Sequence, residues 1–102
     1  MKLLTKAIKA VAPPVAYNAS DDALIVAKFF HPISSYTFYM TELDSDGQMA
    51  YGYVTGLAED EFGPVSMREL KGLVHRGLGI ERDLHFPINE HRVADVKEGR
   101  VS

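Results

Sequence analysis

Aromatic and β-branched residues crowd two arms of the chain, residues 36–41 and 49–55, on either side of Asp44-Ser45-Asp46-Gly47. Such residues suit a pleated, half-buried surface and the acidic tetrapeptide supplies turn chemistry, so residues 36–56 predict a β-hairpin. Alternation in the first arm sends Tyr36, Phe38 and Met40 to one side and Thr37, Tyr39 and Thr41 to the other. In the second arm Met49, Tyr51 and Tyr53 oppose Ala50, Gly52 and Val54. The small residues at 50 and 52 let helices approach their side closely, which leaves the rings of Tyr36, Phe38, Tyr51 and Tyr53 together on the more open face; the alternative is an inverted facing, with these rings forming the core beneath the helices.

The flanking segments read as the rest of a meander. Thr5 caps a short predicted helix with Leu4 and Ile8 on one face, stopped by Pro13-Pro14. Residues 15–22 read as a loop, and the apolar run 23–30 as an inner strand covered on both sides. His31-Pro32 breaks that run ahead of Tyr36. Residues 61–65 read as a brief strand that Pro64 places either at a sheet edge or near the strand's end. Ser66-Met67-Arg68-Glu69 has the spacing of a capping box, with Val65 and Leu70 as a hydrophobic staple. Met67, Leu70, Leu73 and Val74 give the following helix one apolar stripe, and Gly77 is placed to end it. Residues 80–86 read as a last strand closed by Pro87. Charge dominates after Asn89, so 89–102 either docks as a short helix or frays. The expected architecture is a single α+β domain over residues 1–102: an antiparallel meander of four to five strands with two short helices packed on one face.

Composition narrows the classes of function. The 102 residues are 46% hydrophobic and 25% charged, ordinary globular values, with net charge −3. That balance does not advertise attraction to phosphate backbones or anionic membranes. Cysteine is absent, excluding disulfides, thiolate zinc sites and a cysteine nucleophile. Lysines at 2, 6 and 9 interrupt the opening apolar residues, and no stretch reaches membrane-spanning length, so a soluble cytoplasmic protein without membrane contact is expected.

Candidate chemistry is sparse. Histidines 31, 75, 85 and 91 match no metal-ligand spacing, and no cofactor or metal is expected. Asp44-Ser45-Asp46-Gly47 lacks the further acidic positions of a calcium loop and reads as a turn. Glu81-Arg82-Asp83 places two carboxylates on one strand face and the arginine on the other, either as an ion-pair lattice or as part of a binding surface.

Several segments carry a resemblance: Met1-Lys2-Leu3-Leu4-Thr5, Lys28-Phe29-Phe30-His31-Pro32, Tyr36-Thr37-Phe38-Tyr39 with Thr41-Glu42, Tyr51-Gly52 with Gly56, Ser66 with Glu69-Leu70, and Gly77-Leu78-Gly79-Ile80-Glu81-Arg82-Asp83-Leu84. With these the chain resembles an uncharacterised bacterial family, domain-of-unknown-function family 2958. The resemblance implies a setting of plasmids, integrated elements and phages near genes for DNA handling and anti-restriction. It implies no activity, cofactor or catalytic residues. The function expected is therefore a small non-enzymatic interaction protein of a mobile genetic element, meeting a host-defence or DNA-processing protein through Tyr36, Phe38, Tyr51, Tyr53, Glu81 and Arg82. Self-association as a homodimer through a strand edge is a corollary. The alternatives are a nucleic-acid binder using the basic helices and the sheet rings, and a small enzyme with an acid/base site near Glu81, Asp83 and His85.

Overall fold

A computed structural model describes residues 2–101. In chain order the elements are α1 (Lys6–Val11), β1 (Ala27–Phe30), β2 (Thr37–Leu43), β3 (Met49–Thr55), β4 (Glu61–Ser66), α2 (Met67–Lys71), β5 (Val74–His75), β6 (Leu78–Gly79), β7 (Glu81–Arg82) and α3 (Val93–Lys97). Five strands form one antiparallel sheet in the order β4-β3-β2-β1-β7, and β5 pairs with β6 in a separate hairpin. This is the α+β meander that the pattern predicts, with β1 inside the sheet and the Pro64-bearing β4 at its edge.

Local chemistry sets the boundaries. The β2–β3 turn closes with Gly47 N–H donating to the Asp44 carbonyl at 2.8 Å and Gln48 N–H to Asp46 Oδ1 at 3.0 Å. Thr5 Oγ1 accepts from the Ile8 amide and Ser66 Oγ from the Glu69 amide, both at 3.2 Å, capping α1 and α2 as expected. Helix α2 nevertheless ends at Gly72, short of the predicted Gly77. Arg76 and Gly77 both take left-handed backbone angles, φ 53° and 78°, which is the conformation of a two-residue hairpin turn. That turn draws Val74-His75 into pairing with Leu78-Gly79 and removes Leu73 and Val74 from the helix stripe.

The sheet separates two apolar clusters. One holds Ala27, Phe29, Phe38, Met40 and Val54 beneath Leu4 and Ile8 from the N-terminal segment and Met67 and Leu70 of α2. The other holds Ile25, Tyr39 and Tyr53 beneath Val93 of α3, with Phe62, Phe86 and Val96 around them. The two predicted helices thus lie on the Ala50/Gly52 side, and a third short helix covers part of the side expected to be open.

Of the two alternatives for the tail, docking is observed. Ile25 N–H donates to His91 O at 2.8 Å, Asn89 N–H to Ile25 O at 3.0 Å and Val93 N–H to Ala23 O at 3.1 Å, and Val93 is fully buried.

One register shift corrects the predicted facing of the rings. Leu43 lies opposite Ala50 and Glu42 opposite Tyr51, but beyond a bulge at Thr41 the partners become Met40–Gly52, Tyr39–Tyr53 and Phe38–Val54. Without the extra residue Met40 would face Tyr53, and the even-numbered residues of β2 would share the tyrosine side. The bulge inverts that phase. Tyr36 and Phe38 therefore belong to the helix side, and Tyr51 and Tyr53 to the opposite one.

Candidate functional site

The expected ring platform is divided between interior and rim. Phe38 has no exposed surface and stacks on Phe29 at 6.1 Å. Tyr53 is 7% exposed, packed 5.2 Å from Phe62, with Lys97 Nζ 5.2 Å from its ring centre. Lys97 is held there by Asp21 at 2.7 Å, whose carboxylate also raises the lysine pKa. Tyr51 is half-buried between Tyr17 and Phe62, with centroids 5.5 and 6.2 Å away. Tyr39 is buried in the same cluster, and its phenol pKa is raised by burial and further by Asp83 and Asp60.

The Glu81-Arg82-Asp83 alternation is present, with largely structural partners. Glu81 lies opposite Phe30 and Arg82 opposite Phe29. The Arg82 guanidinium donates to the carbonyls of Lys2 and Leu3, fastening the N-terminal segment to the sheet edge. Asp83 pairs with Lys28 at 3.5 Å and accepts from the His85 amide at 2.9 Å. His85 is exposed, and neither it nor Glu81 lines the small hollow that Asp83 borders. Glu81, Asp83 and His85 do not converge on a common cleft. Among the described residues no three histidine or carboxylate side chains come together as metal ligands.

A different arrangement emerges around Tyr36, at the end of the sheet remote from the β2–β3 turn. Here Tyr36, Leu57, Leu73, Val74 and Ile80 line an apolar hollow of about 200 Å³ with His31 and His75. Tyr36 and Leu57 also line an adjoining hollow of about 560 Å³ that runs along Val65, Pro64 and Gly63 of β4 and is rimmed by Glu59 and Glu61. Leu57 is 62% exposed, Val74 63% and Leu73 44%. Ile33 and Leu78 are exposed nearby, so large aliphatic side chains cluster in water at one pole of the molecule.

This pole is held in shape rather than left loose. His31 is buried; its Nε2 lies 2.8 Å from the Leu78 carbonyl oxygen, while Nδ1 accepts from the amides of Ile33 and Ser34 at 3.3 and 3.2 Å. Nε2 is therefore the donor, and one imidazole ties the 31–36 loop to the β5–β6 hairpin. On the other flank Ser35 Oγ donates to the Gly56 carbonyl at 2.8 Å. Tyr36 is half-buried between these supports, and burial raises its phenol pKa. Of the six expected contact residues, Tyr36, Phe38, Tyr51, Tyr53, Glu81 and Arg82, Tyr36 alone lines the groove. The sequence pattern gives Leu57 no role, assigns Leu73 and Val74 to a helix stripe and leaves His31 without one; the Arg-Gly turn between Val74-His75 and Leu78-Gly79 is the signal that points to the hairpin instead.

The family model described as protein of unknown function, DUF2958, matches residues 2–97. The chain belongs to that family. The match runs to the end of α3, so residues 89–97 of the docked tail lie within the extent of the DUF2958 family, as do the residues up to Phe86. No curated protein matches the chain, and neither does any solved structure. No helix among the described residues is long and apolar enough to cross a membrane.

Proposed function

We propose that this DUF2958 protein is a non-enzymatic interaction protein whose apolar groove at the Tyr36 pole receives a protein partner. The observation that carries this reading is the joint exposure of Leu57, Leu73 and Val74 around a hollow with fixed walls. Solvent-exposed aliphatic clusters of this kind mark contact surfaces, and a pre-shaped hollow reduces the ordering cost of binding. The partner presents one or two large apolar side chains to the groove. Basic residues beside them suit the rim of Glu59 and Glu61. Contact runs through side chains in this groove more than through strand addition, because Pro64 offers no N–H on the β4 edge and β7 is only two residues long. Such a module suits an accessory protein of a mobile genetic element acting on a host-defence or DNA-processing protein.

Site-specific photocrosslinking in the native cell tests this. A crosslinking amino acid at Val74 should capture a discrete protein, and Leu57→Asp should abolish the capture. The same probe at Leu84, exposed elsewhere, should not give that product. Capture unaffected by Leu57→Asp removes the reading, as does capture of a second copy of the chain alone, which would make the groove a homodimer surface.

A further inference from the structure

The opposite pole carries a feature of different chemistry. An open cleft of about 760 Å³ lies between the N-terminal segment, α2 and the β2–β3 turn, lined by Lys2, Lys9, Arg68 and Lys71 with Asp46 as its one acid. All four cations are exposed, and among the described residues none of them forms an ion pair. The whole chain has 11 lysines and arginines against 14 acids. Four cations facing one acid therefore invert the local field relative to the molecule as a whole.

The cleft walls are fixed. Ile8 is buried, so α1 turns Lys9 outward, and Arg82 holds the carbonyls of Lys2 and Leu3 from below. On the other wall the Met67 amide donates to Gln48 O at 2.9 Å, locking the start of α2 against the turn. Leu3, Leu4 and Met67 contribute apolar surface to the lining, and no aromatic ring lines the cleft.

We propose that this cleft binds the phosphate backbone of a nucleic-acid strand, independently of the apolar groove. Cations on two facing walls suit a linear polyanion lying between them, and the space greatly exceeds a single phosphate. With no ring to stack on bases, recognition is through phosphates and independent of sequence. Neutralising about four phosphates predicts a characteristic salt response: log Kobs falling against log salt with a slope of about −3 for a single strand, and roughly 50-fold or greater weakening between about 50 and 200 mM salt.

Fluorescence anisotropy of the full chain with a labelled oligonucleotide, single-stranded and duplex, tests the proposal. The expected result is binding at low salt with that slope, lost in the Lys9→Glu/Arg68→Glu double variant and unchanged in Val74→Ser. Single Lys2→Ala and Lys71→Ala variants should each lower the slope by about one. They keep the test decisive should the double variant fold poorly by circular dichroism. No binding at low salt, a slope near zero, or undiminished binding in these variants overturns the proposal. So does binding to anionic vesicles or inorganic polyphosphate without binding to the oligonucleotides.

Discussion

Phe38 presses its ring against the backbone of Gly52. A β-carbon at Gly52 would lie 2.9 Å from Phe38 Cε1, 2.1 Å from the Tyr39 carbonyl oxygen and 3.0 Å from Met40 Cα. Two of these three obstacles are backbone of the central ladder, so there is little room to yield. Gly52→Ala is expected to destabilise the fold by about 2–4 kcal/mol through strand displacement. Gly63, opposite Gly52 on β4, meets nothing within 4 Å, and Gly63→Ala should change stability by less than about 1 kcal/mol. Urea denaturation of the two variants compares them directly; equal losses would mean that packing against Phe38 and Tyr39 does not set the glycine requirement.

Glu42 is 6% exposed, and its Oε1 accepts from the amides of Ala16 and Tyr17 at 2.9 and 3.1 Å. The carboxylate thereby secures the loop ahead of β1, where Tyr17 takes a left-handed φ of 56°. Glu42→Ala removes the acceptor and should cost about 1–3 kcal/mol, with faster hydrogen exchange at those two amides. Glu42→Gln keeps an acceptor oxygen and should cost less. Matching stabilities and exchange rates for Ala and Gln would show that the loop does not depend on this bond.

Asp95 Oδ2 accepts from the Arg92 amide at 2.8 Å, and its Oδ1 lies 2.7 Å from an Arg100 nitrogen. The Arg92 amide first, and Arg100 next, hold the Asp95 carboxyl below its usual value. A depressed carboxyl pKa favours the folded arrangement above the ordinary carboxylate value, and that contribution disappears as pH falls through the lowered one. The start of α3 should therefore loosen in acid, below about pH 4. Monitoring Val93 and Ala94 amides by NMR across this range should reveal a transition that Asp95→Asn lacks. Its persistence in the Asn variant would assign it to another group.

The central hairpin and the Thr5 and Ser66 caps were legible because each rests on local chemistry, and of the two placements Pro64 allows, a sheet edge or a strand end, β4 takes the edge. The sharing of a face by Tyr36, Phe38, Tyr51 and Tyr53 was not legible. It depends on one extra residue at Thr41, a β-branched residue that fits a regular strand equally well, and that single residue changes which rings meet. The pattern of Met67, Leu70, Leu73 and Val74 matches one helix face, yet only the first two are buried. Reading Leu73 and Val74 as core concealed the groove, since the features that make them conspicuous, their exposure and proximity to Leu57, arise from long-range folding. The tail's docking was likewise hidden, because its bonds run from residues 89–93 to residues 23–25, far away along the chain.

Strand β3 runs seven residues from the Gly47 turn toward Gly56, a separation of roughly 20 Å between its ends. The cationic cleft borders the first end and the aliphatic groove the second. Should both proposals hold, occupation of one terminus would leave the other unobstructed, and the sheet would act as a coupler that holds two dissimilar cargoes at a set spacing without contact between them.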